Sequence, residues 1–155
     1  MNQFTEDQIS ALQSKKDECL QKKDNHRLVS LKYDKFDKLV GLPQIAISAF
    51  LSSLSVSNYS EHDEYISAFI AILSSFLVVL TSVTRYFEFG KLKESHKKTS
   101  ISYGKLERFI EMEMIKTNKK QFDDIIEGII LDYNNIRENS YIIPHYIDNK
   151  TVQTV

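Results

Sequence analysis

All 20 lysines and arginines lie before residue 39 or after residue 84. The stretch between holds three acids, Glu61, Asp63 and Glu64, close together in one short loop. On either side of that loop, residues 39–58 (LVGLPQIAISAFLSSLSVSN) and 65–84 (YISAFIAILSSFLVVLTSVT) each run 20 residues without Lys, Arg, His, Asp or Glu. As α-helices, each would reach about 30 Å, the hydrocarbon thickness of a bilayer. The mean hydropathy of −0.30 hides this segregation by averaging it away. The second stretch is the more apolar, and the first is diluted by Pro43, Gln44 and five serines. Soluble core helices ordinarily carry a charged stripe on one side, which neither stretch has. The spacing therefore predicts a transmembrane hairpin, with spans 39–58 and 65–84 and a short acidic turn.

Lys32, Lys35 and Lys38 precede the pair, and Arg85, Lys91 and Lys93 follow it. The positive-inside bias then places both termini in the cytoplasm and the acidic loop outside, as a two-span multi-pass membrane protein. A secretory leader is not expected, because 38 residues rich in charge precede the first apolar stretch. The alternative, a soluble bundle that buries both stretches, predicts recovery without detergent.

Residues 5–38 repeat apolar positions at helical spacing (Ile9, Leu12, Cys19, Leu20, Leu28, Leu31, Phe36) and predict a cytosolic helix with a fraying, polar start at 3–7. After the second span, Phe89, Leu92, His96, Thr99, Tyr103, Leu106 and Ile110 follow at spacings of 3, 4, 3, 4, 3 and 4. That is a heptad seam, the pattern that lets helices wind together. Gly90 and Gly104 interrupt it, either to admit a close partner or merely tolerated. A break at 117–120 and a further amphipathic helix through Phe122, Ile125, Ile126, Ile129, Ile130, Tyr133 and Ile136 follow. Residues 85–147 thus predict cytosolic helices, with 141–146 packing onto them and 148–155 as a tail. The expected class is all-α: a two-helix transmembrane hairpin with a cytosolic helical bundle, in one domain.

Tests for chemistry are negative. The four glycines (41, 90, 104 and 128) form no phosphate loop, and no zinc-protease, Cys-x-x-Cys or nucleophile-elbow motif occurs. One cysteine excludes a disulfide scaffold, and a net charge of −1 argues against a nucleic-acid partner. His26, His62, His96 and His145 fall on different expected elements, and His96 reads as a packed seam residue before it reads as a metal ligand. No enzyme, metal site or cofactor is expected. The spans do carry a polar pattern: Ser48, Ser52 and Ser55 on one face of the first, and Ser67, Ser74 and Ser82 on the second. Two uses compete: close helix packing, the commoner one, and a hydroxyl-lined conduit in an oligomer.

The basic first helix, the tight hairpin and the long helix with Phe89, Leu92, His96, Tyr103, Leu106 and Ile110 together resemble the SLATT superfamily, the SMODS- and SLOG-associating two-transmembrane effector domain. The resemblance runs from about residue 15 to residue 147 and includes the closing stretches YNNI at 133–136 and SYIIP at 140–144. It departs at Thr99, where the family often has a smaller residue. The resemblance implies a homo-oligomeric, pore-forming membrane effector, triggered in bacterial defence by a separate nucleotide-sensing or nucleotide-making partner. In that reading the serines line or pack the pore, and Phe89, Leu92, His96, Tyr103, Leu106 and Ile110 carry assembly. The rival expectation is a membrane-anchored scaffold whose cytosolic helices bind a different protein.

Overall fold

A computed structural model describes residues 4–56, 64–115 and 122–144. They form four helices, α1 (Glu6–Val56), α2 (Glu64–Phe87), α3 (Phe89–Ile115) and α4 (Phe122–Glu138), with no strand among the described residues. The fold is all-α. The outer part of the expected acidic loop, the expected break at 117–120 and the chain from 145 onward lie outside the described residues.

The start of α1 is fixed by a reciprocal cap where a fraying end was expected. The Gln8 backbone N–H donates to Thr5 Oγ1 at 3.3 Å, and the Thr5 backbone N–H donates to Gln8 Oε1 at 3.0 Å. Thr-x-x-Gln is a capping box, satisfying two backbone donors that the first turn leaves without partners. Nor does α1 end where its charge ends. It passes from the charged stretch into the apolar one and carries Pro43 inside it. Backbone hydrogen bonding does not register a change of side-chain polarity, so the boundary at 38/39 is one of composition alone. α2 and α3 meet at Glu88, whose φ of 45° places a non-glycine residue in the left-handed region.

The chain divides into two compact units, Met1–Leu31 with Leu92–Val155, and Lys32–Lys91. The first is a three-helix bundle. Lys16 pairs with Glu111, Lys23 with Glu107 and His26 with His96, so α1 runs antiparallel to α3. Phe4 packs edge-on against Phe122 and Tyr133 bonds to Glu18, so α4 runs parallel to α1. From α3 the buried positions are His96, Thr99, Tyr103, Leu106, Ile110 and Glu113, and from α4 they are Ile125, Ile129 and Tyr133. On α1 the buried face is Leu12, Cys19 and His26, seven residues apart, with Asn25 and Val29. Ile9, Leu20, Leu28, Leu31 and Phe36, expected on that face, are exposed. Gly104 permits a close approach, since a Cβ there would lie 3.2 Å from Lys23 Cδ, whereas Gly90 has only Asp37 oxygens at 4.0 Å.

The second unit pairs the C-terminal part of α1 with α2. Gln44 Nε2 donates to Thr81 Oγ1 at 2.9 Å, and Phe50 meets Phe69 edge-on, so the two helices are antiparallel. Phe36 stacks on Phe89 at the charged end of the pair. Among the described residues, one helical stretch, Glu64–Ile115, is long and apolar enough to cross a membrane, and none of its apolar window is buried. The apolar last third of α1, diluted by Gln44 and its serines, does not meet the same measure.

Core truncation separates the two faces of the bundle. Ile110, fully buried, should lose about 2–5 kcal/mol of stability as Ile110→Ala. Leu28, 45% exposed, should lose no more than about 0.5 kcal/mol as Leu28→Ala. Chemical unfolding followed by helical circular dichroism measures both, and equal losses would contradict this core.

Candidate functional site: a buried histidine pair among tyrosines

The heptad that buries Leu12 and Cys19 carries His26 into the bundle one repeat later, and the α3 seam brings His96 to the same level. Seventy residues apart in the chain, the two rings meet with Nδ1 atoms 2.9 Å from one another. Each residue is 2% exposed. One ring must donate from a protonated Nδ1 and the other accept on a bare one, so the contact requires at least one neutral imidazole. Were both rings charged, two N–H donors would face each other.

Aromatic rings enclose the pair. Tyr103 stacks on His26 at 5.9 Å between centroids, Tyr141 lies 6.1 Å from His96, and Tyr133 sits 5.6 Å from Tyr103. The Tyr133 hydroxyl donates to Glu18 Oε1 at 2.6 Å, and Lys15 reaches Glu18 Oε2 at 2.8 Å. No buried side-chain polar atom lacks a partner among the described residues. A polar cluster satisfied in this way ties all three helices to one register.

The electrostatics follow from burial. His26 is pushed down to about 4 by burial first, then by His96 and Lys22. Burial also lowers His96. Burial, followed by the bond to Glu18, raises Tyr133. Burial opposes the Glu18 charge too, but the bonds from Lys15 and Tyr133 outweigh it and hold the carboxyl below its ordinary value. The Cys19 thiol is pushed up to about 11 by burial and then by Glu18, which leaves it a packing residue at neutral pH. No group of three or more His, Cys, Asp or Glu side chains is placed to hold a metal ion among the described residues. What the arrangement can do is keep one proton between two rings and respond when a second arrives.

The residues singled out from the sequence fall in different places. His96, Tyr103, Leu106 and Ile110 are buried inside the bundle, so the seam is closed by α1 and α4 of the same chain. Phe89, half-buried, belongs to the other unit with Tyr33 and Phe36, and Leu92 is half-buried at the start of the bundle. Ser48 and Ser74 are half-buried, whereas Ser52, Ser67 and Ser82 are exposed. Ser48, Ser52 and Ser82 each donate to the carbonyl four residues back. The side chain of Ser55 lies outside the described residues. Sequence reasoning missed two links: the histidine pair and the Gln44–Thr81 bond. The seven-residue repeat Leu12–Cys19–His26 was the available signal for the first.

No protein-family model matches the chain, and neither a curated protein nor a solved structure does.

The depressed histidines fix a sign for pH. The unfolded chain takes up a proton at His26 near 6.5 while the folded one resists until about 4. Between those values the unfolded state binds more protons, so stability falls as pH falls. From pH 7 to pH 5, His26 alone should remove about 2 kcal/mol, and His96 acts in the same direction. Unfolding curves at both pH values should show this loss in the native chain and a clearly smaller one in His26→Leu. Equal slopes in the two proteins would contradict it.

Proposed function

We propose that the chain is a two-span membrane protein that assembles with copies of itself into a pore, an effector of the SLATT type. The reading takes 39–58 and 65–84 as the spans and both termini as cytoplasmic. One observation carries it: α2 is apolar along its length, yet none of its residues is buried. Ile72 is 68% exposed, and Val78 and Val79 are exposed beside it. An uninterrupted apolar surface of this kind calls for lipid or another protein surface around it.

Three details support a bilayer as that surroundings. The hydroxyls of Ser48, Ser52, Ser53, Ser75, Thr81, Ser82 and Thr84 all donate to carbonyls of their own helix, which lowers the cost of burying them in hydrocarbon. Gln44, the one carboxamide inside the first span before its last residue, is satisfied across the hairpin by Thr81. Basic residues flank the pair on both sides and are absent between. Because the α3 seam is closed within the chain, association falls to the hairpin, where Ser52, Ser67 and Ser82 face outward for packing against a second copy or for lining a conduit. The trigger in this reading is a separate protein or a ligand.

A second reading, a membrane-anchored scaffold, is favoured by the exposed apolar side chains of the bundle unit, among them Ile101, Met112 and Leu131. Light scattering on detergent-purified protein, followed by dye release from liposomes, separates the two. The effector reading expects a defined oligomer that leaks, with leakage reduced severalfold by Ser52→Leu while membrane insertion is kept. A monomer in tight liposomes would remove the pore and leave the anchor.

A further inference from the structure

Beside the histidine pair lies a surface cavity of about 300 Å³, lined among others by Lys22, His26, Tyr133, Arg137, Ser140 and Tyr141. Its charge is one-sided. No Asp or Glu is among the described residues that line it. Elsewhere in the bundle, Lys15 pairs with Glu18, Lys16 with Glu111 and Lys23 with Glu107. Lys22 and Arg137 have no carboxylate within 4.0 Å among the described residues. Two cations brought from α1 and α4 to one opening, with no carboxylate in direct contact and Glu18 acting on Lys22 only from beyond ion-pair distance, form a place where an anion is stabilised from both sides.

The walls add a second requirement. Tyr103, Tyr133 and Tyr141 present rings, and Ile143 adds an apolar patch. The Tyr133 hydroxyl is committed to Glu18, so that residue meets the cavity as a ring rather than as a donor. The turn after α4 sets the rim: Ser140 bonds back to the Arg137 carbonyl through both its N–H and its hydroxyl, at 3.2 and 2.8 Å. At about 300 Å³ the space stands at the small end of ligand cavities, enough for one ring with its charged group and too little for an extended chain.

We propose that this cavity binds a small organic anion, a single ring bearing a phosphate or carboxylate group, with Lys22 and Arg137 holding the charge and the tyrosines holding the ring. The site belongs to the bundle unit and does not depend on how the hairpin is used.

The test is calorimetric titration of the full chain, in a neutral detergent, with phenyl phosphate, benzoate and inorganic phosphate. Phenyl phosphate should bind saturably at one site per chain. Benzoate should bind more weakly, having one charge for two cations, and inorganic phosphate more weakly, having no ring. Lys22→Gln, at a half-buried position, and Arg137→Gln, at an exposed one, should each weaken phenyl phosphate about tenfold while helical circular dichroism stays unchanged. Tyr141→Leu should weaken phenyl phosphate and leave inorganic phosphate as it was. If neither ring compound binds saturably, or if the two glutamine variants bind phenyl phosphate as the native chain does, the site is wrong. Inorganic phosphate binding as tightly as phenyl phosphate would overturn the role of the rings.

Discussion

Apolar surface costs about 25 cal/mol for each Å² left in water, and the hairpin unit has little of its own chain with which to cover such surface. Two helices side by side can hide only the strip where they touch. On α2 that strip runs through half-buried positions such as Leu73, Leu77 and Leu80, and everything beyond it faces outward. Leu39, Leu42 and Ile45 stand exposed in the same way on α1. The bundle unit, built from the charged stretches of the chain, differs in that each of its three helices buries one face against the other two. The distribution of charge along the chain thus divides the labour before any tertiary contact forms.

Within the bundle, specificity comes from polar groups as much as from apolar ones. Leu12, Ile110, Ile125 and Ile129 provide a core that many registers could satisfy. The His26–His96 contact and the Tyr133–Glu18–Lys15 chain can be made in only one. Such groups are costly to bury without partners, so a slipped register would lose both bonds at once. The arrangement also makes the bundle sensitive to charge at its centre, since a second proton on the pair replaces a hydrogen bond with a repulsion. The cationic cavity beside it brings a further charge-sensitive element within reach of the same rings.

Much of the helical architecture was legible in the sequence, and the reasons for the rest are specific. The α3 seam and the α4 stripe repeat apolar residues at helical spacing, and both faces are buried in the structure. On α1 the same method reached only part of the face, because Asn25 and His26 are buried there beside Leu12, Cys19 and Val29. Apolar periodicity therefore finds Leu12 and Cys19, which are buried, together with Ile9, Leu20, Leu28, Leu31 and Phe36, which are exposed, and passes over Asn25 and His26. The histidine pair was hidden for another reason: its members come together only when the antiparallel register of α1 and α3 is known. The bond between Gln44 and Thr81 was equally beyond pattern reading, since a glutamine in an apolar stretch looks like dilution until its partner is found.

The central proposal is that residues 39–58 and 65–84 cross a bilayer, with the acidic loop outside and both termini in the cytoplasm. Labelling of single cysteines by a membrane-impermeant maleimide, in intact cells and in a Cys19→Ser background, tests it directly. The account predicts that a cysteine introduced as Ser60→Cys is labelled from outside, whereas Lys97→Cys is labelled only after the membrane is opened. Labelling of both positions only after the membrane is opened, with the protein recovered in the soluble fraction without detergent, would contradict it.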